Sequence, residues 1–271
     1  MPGPSTTVSF GNLICCSENK VSWLASWPRA WPVPGEPCGE YLTSSGAIFG
    51  GEGDAPLDQA LQGIDPRLLR LEACFSHEKR MEKIIAVFPR TFQILGADQP
   101  AIVRDFIEAC PPIDISRLEN ARQFYDFLCA RWRDEPPEPP YLRDVATCEF
   151  GCAMVRVGAK ARELEPARRE HVPRDDIRRH PDVILLRCIY DIRPIFEASS
   201  GEPVPVKRGT LLAIGIPPDA GHPRIFEMVP AVFDLLSVLD DWTDRTSLGS
   251  MPELDVFICD LAERGLIEVR R

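Results

Sequence analysis

Proline limits what this chain can become more than any other residue does. It occurs 27 times in 271 residues, about twice ordinary usage. Each proline fixes φ and removes a backbone donor, so helices and strands begin at it or stop before it. Prolines stand at 28, 32, 34 and 37, at Pro111-Pro112, in the run Glu135-Pro136-Pro137-Glu138-Pro139-Pro140, and at Pro217-Pro218. Many short elements joined by stiff connections are expected. Residues 1–60 read as an irregular extension. There Trp23, Trp27 and Trp31 alternate with prolines, and Gly46, Gly50, Gly51 and Gly53 follow. The tryptophans can anchor this arm to the main body or to a partner, and a poorly ordered extension fits equally.

Helical spacing begins near Pro66. Met81, Ile84, Ile85 and Phe88 recur at i, i+3, i+4 and i+7, which makes one apolar stripe that Pro89 interrupts. A short helical segment carries Phe92 and Leu95 and ends at Gly96. Pro100 opens the next helix, with Ile102, Val103, Phe106 and Ile107 on its buried face. Ser116 and Glu119 form a capping box ahead of a stripe of Leu118, Ala121, Tyr125, Leu128 and Trp132. A further helix turns Leu142, Val145, Cys148, Cys152 and Val155 inward. Residues 65–165 are therefore expected to be an all-α bundle. The Arg-rich stretch 160–180, with interleaved acids, reads as a solvated connector.

After Pro181 the pattern becomes β-rich. Strands are expected over 183–190, with 192–196 continuing extended, over 207–216, and over 224–229 between Pro223 and Pro230. Helical spacing returns with Val232, Leu235, Leu236 and Leu239, and again with Leu254, Phe257, Ile258 and Leu261. Gly265 closes the last helix, and residues 266–269 read as a terminal strand. The fold class expected is α+β: an N-terminal helical bundle, then a winged-helix-like module over 181–271 built of three strands plus helices.

Charge and composition narrow the function. The net charge is −10, which disfavours general nucleic-acid binding. No stretch approaches the ~20 apolar residues of a membrane span. Residues 8–16 are too short and too interrupted for a secretory signal, so a cytoplasmic location is expected. Ten cysteines are present, none in C-x-x-C spacing. Cys148 and Cys152 share a helical face and read as small core residues. No glycine-rich phosphate loop, G-x-S-x-G or H-E-x-x-H occurs. Cys74 and His77 read as chance neighbours on a helix. No catalytic residue and no metal ligand is nominated.

A winged helix invites DNA as partner, and a DNA-binding regulator is the alternative function. Residues 181–271 hold nine Arg plus Lys against fifteen Asp plus Glu, however. The helix over 253–266 carries Glu253, Asp255, Asp260 and Glu263, which a phosphate-lined groove would repel. A strand edge offers another use, because an extended peptide can add to it as one more strand. The candidate peptide-binding residues are Arg224, Ile225, Phe226, Glu227, Met228 and Val229 on that edge. Asp255, Ile258, Leu261 and Ala262 on the helix beside it complete the set, with the cleft expected between them.

The segment Phe88-Pro89-Arg90-Thr91-Phe92-Gln93-Ile94-Leu95-Gly96, followed by residues 102–110 and Pro111-Pro112, resembles a known helical domain. It belongs to the partner proteins of multinuclear non-haem iron-dependent oxidases. These act in the biosynthesis of ribosomally synthesised, post-translationally modified peptides. Residues 141–149 are similar to a later helix of that family. The line Leu261-Ala262-Glu263-Arg264-Gly265-Leu266-Ile267-Glu268 is similar to the end of a leader-peptide recognition element. The resemblance covers about residues 65–271. It implies a non-catalytic subunit of a heterodimer that binds the leader of a precursor peptide and presents its core to the oxidase. It implies no cofactor in this chain, with iron held by the partner enzyme, and neither nucleic acid nor membrane as partner.

Overall fold

In a computed structural model of the chain, the described residues are 7–9, 65–164, 176–197, 203–248 and 252–270. They fall in two compact units. One comprises the described residues from 83 onward together with residues 7–9; the other holds residues 65–82. Among the described residues the longest helices come before residue 165, and every strand but one comes after residue 175. The tryptophans of the extension lie outside the described residues. Within that extension Thr7–Ser9 forms a strand, β1.

Helix α1 spans Pro66–Ile85 and α2 spans Pro89–Leu95, the break falling at the proline as expected. Gly96 ends α2 at φ +50°, a left-handed conformation that favours glycine. Helices α3 (Gln99–Ala109), α4 (Arg117–Asp134) and α5 (Leu142–Leu164) follow. Ser116 Oγ accepts from the Glu119 amide at 3.3 Å, which makes the expected cap of α4. Phe124 of α4 gathers an aromatic cluster, with Phe92 and Phe106 centroids 5.2 and 5.1 Å away and Phe88 at 5.6 Å. Such pairs stabilise by about 0.5–1.5 kcal/mol beyond their buried area. The stripe of α5 is buried as read from its spacing: Leu142, Val145, Cys148, Cys152 and Val155.

The strands build two antiparallel sheets. The larger has the order β1-β5-β4-β3, with β3 Ile184–Cys188, β4 Thr210–Gly215 and β5 Arg224–Glu227. Side chains alternate across it with the pleat. Leu212, Ile214 and Ile225 join Val145, Cys148 and Cys152 of α5 in one core. Ala213 and Phe226 point the other way. They meet Leu236 of α7 (Pro230–Val238) and Ile258 and Leu261 of α8 (Pro252–Glu263) in a second core. The sheet is thus a middle layer between α5 and the pair α7 and α8. Gly151 of α5 lets the helix come close, since a Cβ there would lie 2.9 Å from Ile214 Cδ1.

The smaller sheet has the order β6-β2-β7, with β2 Asp176–Arg179, β6 Thr243–Asp244 and β7 Ile267–Val269. Two local expectations are corrected here. Residues 192–196, expected to be extended, lie mostly in the short helix α6 (Arg193–Glu197). The end of the expected connector is strand β2, whose Ile177 is fully buried between β6 and β7. Its flanking charges obscure it in sequence, but Arg178 and Arg179 are engaged by Glu268 and Asp240.

Candidate functional site

The site grows from the β4–β5 hairpin and the C-terminal half of α8. The loop between the strands runs through Pro217-Pro218-Asp219, and its two prolines have ring-fixed φ. A cleft of about 490 Å3 opens there, lined by Pro217, Pro218 and Asp219, by Arg224 and Phe226 of β5, and by Asp260, Glu263 and Arg264. It lies where the sequence places it, between strand 224–229 and the last helix. At its floor, Phe226 is only 2% exposed. The Arg264 guanidinium stands 5.7 Å from that ring and donates to both Asp260 oxygens at 2.8 Å, so it forms a fixed wall. Arg224 is half-buried, and its Nε is buried without a hydrogen-bond partner. An acceptor entering the cleft would satisfy that donor. Asp219 and Glu263 are exposed on the rim.

The ten residues named from sequence divide by the pleat and the helical turn. Arg224 and Phe226 line the cleft. Ile225, fully buried, lies on the opposite face of the sheet in the core with α5. Glu227 is tied to Arg193 at 2.6 Å and to Arg208 at 3.0 Å. The Met228 amide donates to Leu211 O at 2.8 Å, and Val229 caps α7 with an exposed side chain. On α8, Asp255 is exposed and paired with Arg245, and Ala262 is half-buried. Ile258 and Leu261 are 3% and 2% exposed, inside the core rather than at the cleft surface. They belong to the apolar stripe that attaches α8 to the sheet. The cleft is faced by the next row of the helix, Asp260, Glu263 and Arg264. The sequence signal for that row was the charged flank of the stripe.

The edge of β5 is not bare. Strand β1 pairs with it antiparallel, Thr7 opposite Phe226, Val8 opposite Ile225 and Ser9 opposite Arg224. It also lies against α6. The edge strand expected to be open to an added peptide is therefore occupied by an extended piece of the same chain.

Three cysteines are held away from the cleft in inert settings. Cys148, Cys152 and Cys188 are buried together in the core of α5. Burial pushes the Cys148 thiol well up and the Cys188 thiol to about 12, so neither is a thiolate at neutral pH. Among the described residues no three His, Cys, Asp or Glu side chains converge on a point that could hold a metal ion. No described helix is long and apolar enough to cross a membrane.

No family model matches the chain, and no curated protein matches it.

Proposed function

We propose that this protein is a non-catalytic recognition subunit. It binds the leader of a precursor peptide as an added strand at β5 and presents the peptide's core to a multinuclear non-haem iron oxidase. The bond-making and the iron belong to that partner. The C-terminal half acts as a winged-helix-like peptide-recognition module, with α8 as the helix beside the accepting strand. One observation carries the reading: the outer edge of β5 accommodates an extended segment in antiparallel register, next to a cleft of about 490 Å3. Strand addition supplies affinity through the backbone, and pockets for alternate side chains supply selectivity. In an antiparallel pair, residues directly opposite share a face. Ligand residues opposite Arg224 and Phe226 therefore face the cleft, and the unpartnered Arg224 Nε favours an acceptor side chain there. Holding the leader converts the meeting of core and oxidase into an intramolecular event.

The test is reconstitution. The purified chain, the oxidase encoded beside it and a neighbouring precursor peptide are combined. Binding of both partners, with modification of the peptide dependent on this chain, is expected. Failure to bind either, or transformation of a substrate by this chain alone, overturns the proposal. Arg224→Ala is expected to weaken precursor binding by about tenfold, the loss of one charge-assisted hydrogen bond. Isothermal titration checks it.

A further inference from the structure

The strand-accepting edge is already filled, and what fills it is small. β1 has three residues and pairs with Arg224, Ile225 and Phe226, whereas β5 runs one residue further, to Glu227. A three-residue strand forms few ladder hydrogen bonds, and short isolated pairings are marginal in water. The other side of β5 is differently held. It pairs with β4 over four residues, and Ile225 and Phe226 anchor it in both cores. The hairpin thus persists whether or not β1 is in place. By chain order, 56 residues separate Ser9 from the start of α1 at Pro66. In sequence, the occupant is therefore remote from the rest of the fold.

We propose that residues 7–9 are an in-cis placeholder that masks the β5 edge until an extended peptide displaces them. This rests on the reading of β5 as a peptide-accepting strand. It adds that the resting protein is self-occupied, so its affinity for any added strand is set by competition with its own N-terminal segment. The physical need is plain. A bare edge recruits any extended chain, including a second copy, and proteins cover such edges. A tethered cover does this at an effective concentration that a loose peptide of equal affinity does not reach at micromolar levels. A longer ligand that also uses Glu227 and the cleft has more to pair with than β1 does.

The experiment compares the full chain with a full-length variant carrying Thr7→Pro and Val8→Pro, which removes two of the cover's three amide donors without touching β5. The probe is a labelled synthetic peptide of residues 1–14. The variant is expected to melt within a few degrees of the parent. It is also expected to exchange its 224–227 amides faster, and to bind the probe at least tenfold more tightly. Added probe is expected to restore protection of those amides. Equal binding by parent and variant, or no binding by either, overturns the placeholder. So does a variant that loses its fold, because β1 would then be a permanent part of the sheet. The precursor peptide is titrated separately. If it binds parent and variant equally, the placeholder falls and the recognition function stands. If the variant captures the probe but no precursor, the recognition function falls and the placeholder stands.

Discussion

Glu149 stands in the middle of α5 with its carboxylate buried, a position that only hydrogen-bond donors make tolerable. Its Oε1 accepts from the Arg90 amide at 2.7 Å, and its Oε2 accepts from the amide and hydroxyl of Thr91 at 3.0 and 2.8 Å. It thereby caps α2, whose own N-cap residue, Phe88, supplies no side-chain acceptor. Burial nevertheless pushes the carboxyl up to about 7, against the opposing pull of those donors. The folded state therefore holds this proton more tightly than the unfolded chain does. The stability it contributes is complete below the ordinary value of 4.5 and is lost as pH rises through 7. Thermal melts of the parent and Glu149→Gln are expected to show the parent's margin shrinking from pH 5 to pH 8; a pH-independent margin would refute this assignment. Gly265 is the other residue whose identity is dictated. Its φ is +67°, and a Cβ would lie 2.2 Å from the Ile216 carbonyl oxygen, which is backbone. Gly265→Ala is expected to cost about 2–4 kcal/mol by urea denaturation, from left-handed strain plus the clash. Gly221→Ala, where nothing lies within 4 Å, is the control.

Among the elements, β5 is positioned by an ion network at its far end. Arg193 of α6 donates to both Asp191 oxygens at 2.8 and 2.7 Å and reaches Glu227 at 2.6 Å. Arg208 joins the same two acids at 2.6 and 3.0 Å. The hydrogen bonds from Arg193 hold the Asp191 carboxyl below the usual carboxylate range. Arg193 is nearly buried, so Arg193→Ala would leave two acids with only the exposed Arg208 to balance them. A loss of about 2 kcal/mol is expected, between the values for exposed and buried pairs. Chemical denaturation checks it, with faster amide exchange in residues 224–227 as the local signature. Helices were legible in the sequence where periodicity ran long, as in α4 and α5. The strand β2 and the helix α6 were not. Each is only four or five residues, too short for period to decide, and each has an arginine with an acidic partner far along the chain, Arg178 with Glu268 and Arg193 with Glu227. The place of the cleft was legible, because prolines and the last helix bracket β5. The row of α8 that faces it was not, since Ile258 and Leu261 look equally suited to a ligand or to a core until the sheet is seen beneath them.

At the scale of the whole molecule, the net charge of −10 and the acids Asp219, Asp260 and Glu263 around the cleft oppose a polyanionic partner. Gel-shift titration with duplex DNA at low salt is expected to give no retardation, and salt-dependent retardation would favour a regulator instead. The two-part order, helices then strands, follows from the chain itself, since period and proline placement are local properties. What they do not contain is partnership across distance. That α5 serves the core of the sheet and that Glu149 caps α2 are decided by contacts between residues remote in sequence. So is the closing of the β5 edge by residues 7–9. A strand's edge carries the same backbone groups whatever its side chains are, so no residue pattern tells which segment will pair with it. Only the folded chain, by bringing one extended piece alongside another, makes that choice.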